Sequence, residues 1–357
     1  MLDIFGHWKE QKEHLIPDSY SPSSFLSIII AARNEEENII ASIQSILDNN
    51  YPSELYEIIV VDDHSEDNTA ALVRSIKNHN VKVYTLTDPN QLGKKQAIEY
   101  GITQSNGNII LITDADCQVP KQWMAFHSSF YSIYAAKCVT GPIRYKHTSS
   151  LIERFQSLDL TGMMGVTQAG IFSDKWYMAN GANMSFLKEK FFDVGAYNAS
   201  KQYASGDDVF LIQAIAEICG DDVYFLKNPD AAVETQAEST WKSLYQQRLR
   251  WGTKNKSYNK KAITLTLGIV FVFCCSILLN LALIPFFGIT ALFVFASQII
   301  GKLTIDYFYL QKLNSYFSAE RIRSFVPSSI IYIVYIVWIG FASLFLKSYI
   351  WKDRKLQ

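Results

Sequence analysis

The chain has 357 residues, more than one small domain needs, and 49% of them are hydrophobic. Its 33 lysines and arginines against 34 aspartates and glutamates argue against a nucleic-acid binder, whose domains are usually strongly basic. The five cysteines (Cys117, Cys138, Cys219, Cys274 and Cys275) have no regular spacing. They read as reduced thiols at a cytosolic face, not as a disulfide scaffold or zinc site.

The first stretch, "MLDIFGHWKEQKEHLIPDSY", is polar and charged and lacks the apolar core of a signal peptide. Residues 1–24 are therefore expected to form a polar N-terminal segment. From 25 the pattern changes. "FLSIIIAARNEEENI" is an apolar strand that runs into polar residues, followed by the helical spacing Ile39, Ile43, Ile46, Leu47. "YEIIVVDDHSEDNT" is a second apolar strand ending in acids, and its Ser65, Asp67, Asn68 and Thr69 are helix-start residues. "VKVYTL" is a third strand, "KKQAIEYGITQS" a helix, and "GNIILITDAD" a fourth strand. Strands apolar nearly throughout, alternating with helices, predict an α/β fold with a parallel sheet covered on both faces. In such sheets ligands bind beyond the carboxyl ends of the strands. Arg33-Asn34-Glu35, Asp62-Asp63 and Asp114-Asp116 all fall there.

Asp114 and Asp116 are two apart, so in an extended segment both carboxylates can face one point. Clustered carboxylates repel and lose hydration unless a cation sits between them. A hard divalent ion, Mg²⁺ or Mn²⁺, suits oxygen ligands and commonly carries phosphates, which makes a diphosphate the expected ligand. Taken alone, D-x-D also fits a solvated acidic turn; its place at the end of a buried strand favours the metal. Residues 25–252 contain neither Gly-x-Gly-x-x-Gly nor Gly-x-x-x-x-Gly-Lys-Ser/Thr, which weakens a dinucleotide oxidoreductase or P-loop reading.

Beyond residue 252 the composition changes again. Residues 253–262 form a basic linker containing "KNKSYNKK". From Ile263 to Ile300 there is no charged residue, and a third uncharged run spans Phe325 to Leu346. About 20 residues cross a bilayer, so the first run suits two helices with a turn near Pro285 and Gly288. The expected membrane region is 263–350, with helices at 263–284, 287–309 and 326–347. An out-and-back hairpin puts the linker, Lys302, Lys312, Arg321 and Arg323 on the cytoplasmic side. Three full spans would put the basic tail "KSYIWKDRK" outside, against that rule. Lys302 and Asp306 are expected at a helix end near the interface.

Seven stretches, in order from Ser27 to Trp251, carry a family resemblance: "SIIIAARNEEENI", "VVDDHSEDNT", "GKKQAI", "TDAD", "MANGANMSF", "SGDDVFL" and "QRLRW". In them the chain resembles the membrane-attached family-2 glycosyltransferases, which have a GT-A fold (a Rossmann-like nucleotide-sugar-binding domain) followed by transmembrane helices. The resemblance implies a nucleotide-sugar donor (a UDP- or GDP-sugar), a divalent metal and inversion at the anomeric carbon. It places Ala31, Arg33, Asn34, Glu35, Asp62 and Asp63 around base and ribose, Lys94 near the donor, and Asp114 with Asp116 at metal and diphosphate, Asp116 as the direct ligand. It makes Asp208 the general base, with Asp207 beside it, although "GDDVFLIQAIAEI" also reads as an ordinary helix start. Asn180, Gly181 and Asn183 would face the acceptor. Gln247, Arg250 and Trp251 would complete the site, Arg250 toward the departing diphosphate and Trp251 as a platform for a sugar. Arg and Trp just before a span also suit a membrane interface.

The segment from Leu151 to Phe172 is partly amphipathic and is expected at the bilayer surface or over the active site. No membrane segment precedes the catalytic region, and three spans are few for a sealed polysaccharide channel. The expected activity is transfer of a sugar to a lipid, lipid-linked or saccharide acceptor by a multi-pass membrane protein at the cytoplasmic face, as in a bacterial inner membrane. A processive polysaccharide synthase, a non-catalytic carbohydrate- or nucleotide-binding membrane protein and a nucleotidyltransferase are the alternatives.

Overall fold

The computed structural model describes residues 2–88, 92–146, 148–195, 197, 206–252, 261–317, 322–345, 349–351 and 354–356. The basic cluster expected at 254–260, Arg321 and Ser205 of "SGDDVFL" lie outside them. In chain order the elements begin α1 (Leu2–Glu10), β1 (Leu26–Ala32), α2 (Ile39–Leu47), β2 (Tyr56–Asp62), α3 (Thr69–Ser75), β3 (Val81–Thr85), α4 (Lys94–Gln104) and β4 (Ile109–Asp114). Then follow α5 (Trp123–Tyr134), β5 (Cys138–Thr140), β6 (Ile143–Tyr145), α6 (Leu151–Phe172), β7 (Met184–Leu187), α7 (Lys188–Asp193) and α8 (Asp207–Cys219). The last are β8 (Val223–Phe225), β9 (Val233–Thr235), α9 (Trp241–Gly252), α10 (Lys261–Phe317), α11 (Phe325–Phe345) and a short hairpin, β10 (Tyr349–Trp351) with β11 (Arg354–Leu356).

Seven strands form one sheet in the order β3-β2-β1-β4-β7-β5-β8, and β6 pairs with β9 in a small second sheet. The first four strands are parallel; β7 runs antiparallel between β4 and β5. The period of two along a strand divides the apolar residues between two layers. Ile28, Ile30, Ile58, Val60 and Leu111 pack with Ile39, Ile43 and Ile46 of α2 and with Trp123 of α5. Ile29, Ile59, Val61, Ile110 and Ile112 pack with Ala97, Ile98 and Ile102 of α4 and with α8. Helices therefore cover both faces, as strands apolar on both sides require.

The N-terminal segment is not the free polar stretch its composition suggests. Ile4 and Trp8, four apart on one face of α1, are buried. The Trp8 ring meets Tyr316 and Phe317 edge-on at 5.2 and 5.3 Å. Lys227 Nζ donates to the carbonyls of Trp8 and Gln11. His14 then docks on α5 through Ser129 at 2.7 Å.

The long α6 starts with a capping box, Ser150 with Glu153. It packs between α1 on one side and α10 and α11 on the other. Gly165 allows the approach of α10: a Cβ there would collide with the Tyr309 hydroxyl and the Leu313 side chain. Tyr309 donates to the Gly162 carbonyl at 2.9 Å.

α10 is two helices joined at Gly288, whose φ of 52° is open to glycine and strained for other residues. The halves fold back on each other. Gln298 accepts from Asn280 at 3.0 Å and donates to Ser276 at 2.9 Å, and Cys274 and Ile277 pack with Phe295 and Ile299. Both α10 and α11 are long and apolar enough to cross a membrane, and side chains such as Phe286, Phe293 and Trp338 are exposed.

Candidate functional site

The sheet register levels the strand ends. Ala31 lies opposite Asp114, and Ala32 opposite Asp62, so β1, β2 and β4 stop together. Lys94, the first residue of α4, reaches across this edge. Its Nζ lies 2.6 Å from Asp114 Oδ1 and 3.3 Å from Asp207 Oδ2 at the start of α8. Burial alone would lower the Lys94 pKa, but Asp114, Asp207 and Asp208 outweigh it and hold the ammonium above its usual value. Asp208 accepts from the Gly181 N–H at 3.1 Å and from the Val209 N–H at 2.8 Å. A Cβ at Gly181 would stand 3.0 Å from Lys94 Nζ, so a larger residue in the loop before β7 would crowd the ammonium.

Asp114, Asp116 and Cys117 can each turn a ligand atom to within 4.8 Å of the others. Two carboxylates at this spacing fit a hard divalent cation, with the thiol as a third, softer neighbour. Cys117 donates weakly to Asp116 at 3.5 Å, and burial together with the two acids pushes its thiol pKa well up. The sequence reading missed Cys117; its adjacency to D-x-D was the available signal.

The residues expected around base and ribose form a latch beside this cluster, off the cavity described below. Arg33 donates to the carbonyls of Asp63 (3.0 Å) and His64 (2.5 Å) and to Glu66 Oε1 (3.0 Å). Asn34, at φ 51°, accepts from the Glu66 N–H at 2.9 Å, and Glu35 accepts from Asn38 at 3.2 Å. Asp63 accepts from the Gly93 N–H at 3.0 Å, tying the end of β2 to the start of α4 and so helping to place Lys94. Ala31 is a half-buried strand position. Asp62 differs from these: its Oδ1 is buried with no hydrogen-bond partner among the described residues.

Asn180 and Gly181 line the cavity, and Asn183 does not. Asn183 is fully buried, donating to the carbonyls of Pro142 (2.7 Å) and Ala231 (3.0 Å) and accepting from Trp123 Nε1 (2.9 Å). Its oxygen also lies 2.8 Å from His127 Nε2. The expectation that it faces an acceptor is corrected: all of its side chain is spent joining β7 to α5 and to the loops after β5 and β8.

Gln247, Arg250 and Trp251 on α9 line the cavity, and Gln247 donates to Glu238 at 3.1 Å. The residue between them, Arg248, was missed. It is almost fully buried, pairs with Asp159 of α6 at 2.9 Å, and places its guanidinium 4.3 Å from the Trp251 ring centre. An aspartate inside the apolar stretch "SLDLTGMM" was the signal that a buried cation faces it.

One cavity of about 1350 Å³ joins these parts. It runs from Lys94, Asp114, Asp116 and Asp208, between α6 and α9, to Lys302 of α10 and Tyr332 of α11. Residues 27–184 match the family model described as Glycosyl transferase family 2. This segment is a glycosyltransferase domain. The mannosyltransferase PcManGT from Pyrobaculum calidifontis, solved with GDP-Man and Mn2+, superposes with a TM-score of 0.62 at 17% identity, covering 96% of this chain and 94% of that one. That likeness shows a shared GT-A fold. S. aureus TarS residues 1–349 align at a TM-score of 0.46 and 15% identity over 93% of this chain and 96% of that one. Comparison with curated proteins gives no match. The glycosyltransferase domain thus carries Asp62 and Asp114 at the ends of neighbouring parallel strands.

Proposed function

We propose that the protein is an inverting, metal-dependent glycosyltransferase that moves one sugar from a UDP- or GDP-sugar to a lipid or lipid-linked acceptor at the cytoplasmic face of a membrane. The observation that carries this reading is the cavity itself, which leads without interruption from the Lys94–Asp114–Asp208 cluster to the apolar helices. A soluble acceptor would need no such passage.

The residues divide the work by chemistry. Asp116, with Asp114, would hold Mg²⁺ or Mn²⁺; the Mn2+ bound in PcManGT supports a divalent ion. The ion would neutralise the donor diphosphate. Lys94 adds a fixed positive charge at the same edge, and Arg250 offers a further cation to the leaving group. Asp62, with its unmet buried oxygen, can accept from a ribose hydroxyl or a base N–H. Asp208 takes the proton from the attacking hydroxyl, and the Gly181 N–H and the start of α8 hold its carboxylate in place. Direct displacement with one such base inverts the anomeric carbon. Asn180 and Trp251 line the path by which the acceptor would enter.

The test is a screen of nucleotide sugars on membranes containing the protein, with lipid extracts as acceptors and products analysed by mass. Release of nucleoside diphosphate with a lipid gaining one sugar is the expected result. A ladder of added sugars would establish the processive alternative, and release of pyrophosphate would overturn glycosyl transfer.

A further inference from the structure

Cys117 follows the aspartate pair directly, and its thiol has no part in the transfer chemistry set out above. Among the described residues, Asp114, Asp116 and Cys117 form the only group of three ligating side chains whose donor atoms lie within 4.8 Å of one another. Cys117 Sγ stands 3.5 Å from Asp116 Oδ1. A tetrahedral zinc ion holds a thiolate sulfur at about 2.3 Å and a carboxylate oxygen at about 2.0 Å, which sets those two ligands roughly 3.5 Å apart. Sulfur and carboxylate thus already keep the spacing of two ligands on one ion.

The surroundings agree with that geometry. All three residues line the cavity. The two acids are half-buried, whereas Cys117 is 1% exposed, so the sulfur is the most enclosed of the three donors. Lys94 engages Asp114 through Oδ1. A carboxylate has a second oxygen and further lone pairs, so the ammonium does not exclude an ion. The remaining tetrahedral position faces the cavity, where water or a phosphate oxygen can fill it.

Donor chemistry decides which ion gains from the thiol. Mg²⁺ and Mn²⁺ are hard ions that suit carboxylate, carbonyl and water oxygens, and sulfur offers them little. Zn²⁺ takes sulfur and oxygen together, and mixed sites bind it more tightly than Mn²⁺. As the sulfur–metal bond forms, the thiol gives its proton to water and nothing is oxidised. An ion held this way occupies the carboxylate oxygens that the activating ion needs.

We propose that Asp114, Asp116 and Cys117 form an inhibitory site for a thiophilic divalent cation, Zn²⁺ or Cd²⁺, that displaces the activating ion. The site rests on the metal-dependent reading above and gives the chain a sensitivity that two carboxylates alone would not confer.

The test uses the full-length protein in detergent, with Co²⁺ as a spectroscopic probe and Mn²⁺ and Zn²⁺ as competitors. Co²⁺ is expected to give a near-ultraviolet sulfur-to-metal charge-transfer band, which Zn²⁺ bleaches. Zn²⁺ should also release bound Mn²⁺, read from the electron paramagnetic resonance signal of the free ion. Cys117→Ser and Cys117→Ala should each abolish the band. Each should lower the ratio of Zn²⁺ to Mn²⁺ affinity roughly tenfold or more, at least the loss that follows removal of a supporting residue from a metal site. A thermal unfolding midpoint confirms folding of both variants. No band when the unaltered protein is saturated with Co²⁺ overturns the site without recourse to any variant. A band or a zinc preference that survives both substitutions overturns it as well, because the other four cysteines remain in place. Sugar transfer is measured on the same preparations, each with Mn²⁺ alone and with added Zn²⁺. Transfer supported by Mn²⁺ but without the cobalt band sinks this site alone. A cobalt band in a protein that neither binds Mn²⁺ nor transfers sugar sinks the metal-dependent reading alone.

Discussion

Lys94 Nζ and Asp114 Oδ1 are 2.6 Å apart, joining the start of α4 to the end of β4. Asp207 and Asp208 share the same ammonium's field, so one lysine balances acids from two separate elements. Lys94→Met leaves those carboxylates facing each other and should destabilise the fold by roughly 1–3 kcal/mol, the cost of stripping a partner from a half-buried charged group. A divalent cation at Asp114 and Asp116 would supply part of the missing charge. Added Mn²⁺ should therefore raise the thermal midpoint of the Lys94→Met variant more than that of the unaltered protein. Equal responses would show that the lysine and the cation do not share a field.

Acid should weaken the protein well before its carboxylates titrate. Burial lowers the pKa of both His14 and His127 to about 4. The sign follows from their neutral folded forms. Between pH 6.5 and 4 the unfolded chain binds protons that the folded chain refuses, so stability is complete above pH 6.5 and declines as pH falls toward 4. His127, wholly enclosed with Asn183 and Ser185, should contribute on the order of 3 kcal/mol to that slope. Denaturant unfolding of the unaltered protein and of His127→Gln at pH 7 and pH 5 is the check. The variant should lose less stability between the two pH values, and an identical loss would remove His127 from the account.

The Arg248–Asp159 pair ties α9 to α6 inside the protein. Arg248→Met should cost about 3–5 kcal/mol, because Asp159 is left buried and uncompensated. Replacing both partners, Arg248→Met with Asp159→Leu, should recover most of that loss, since an apolar pair of similar volume is often neutral. Thermal unfolding of the two variants separates the cost of the orphaned charge from any value of the pair itself. If the paired change is no more stable than the single one, the damage lies in packing against Trp251 and not in charge.

What could be read from the chain, and what could not, follows from the range of the interactions. Strands β1, β2 and β4 are apolar runs ending in acids, a local pattern, and the parallel order that aligns Asp62 with Asp114 follows from their alternation with helices. Trp8 looked like one aromatic in a polar stretch because its partners, Tyr316 and Phe317, lie some 300 residues away. Arg248 and Asp159 are visible as residue types but not as a pair, for the same reason. Asn183 is the opposite case. Its chemistry suits a sugar hydroxyl, and only its burial among Pro142, Ala231, Trp123 and His127 shows those groups already engaged. Arg33 is similar, with its fork closed on two backbone carbonyls and Glu66.

Asp116, just after β4, and Asp208, in the first turn of α8, line the same cavity from different elements, and they should fail in different ways when altered. Asp116→Asn removes a negative ligand from the only described group of acids and thiol close enough to share one ion. It should abolish the Mn²⁺-dependent part of donor binding, read as Kd with and without chelator. Asp208→Asn keeps the hydrogen bond from Gly181 available through its amide oxygen but cannot take a proton. It should bind donor normally and lose roughly 10²–10⁴-fold in turnover, the range for a missing general base. Measuring donor Kd and kcat for both variants against the unaltered protein gives a pattern with two independent arms. Should Asp208→Asn turn over at near full rate, the proton goes elsewhere; Asp207, held 3.3 Å from Lys94, would then be the next carboxylate to alter.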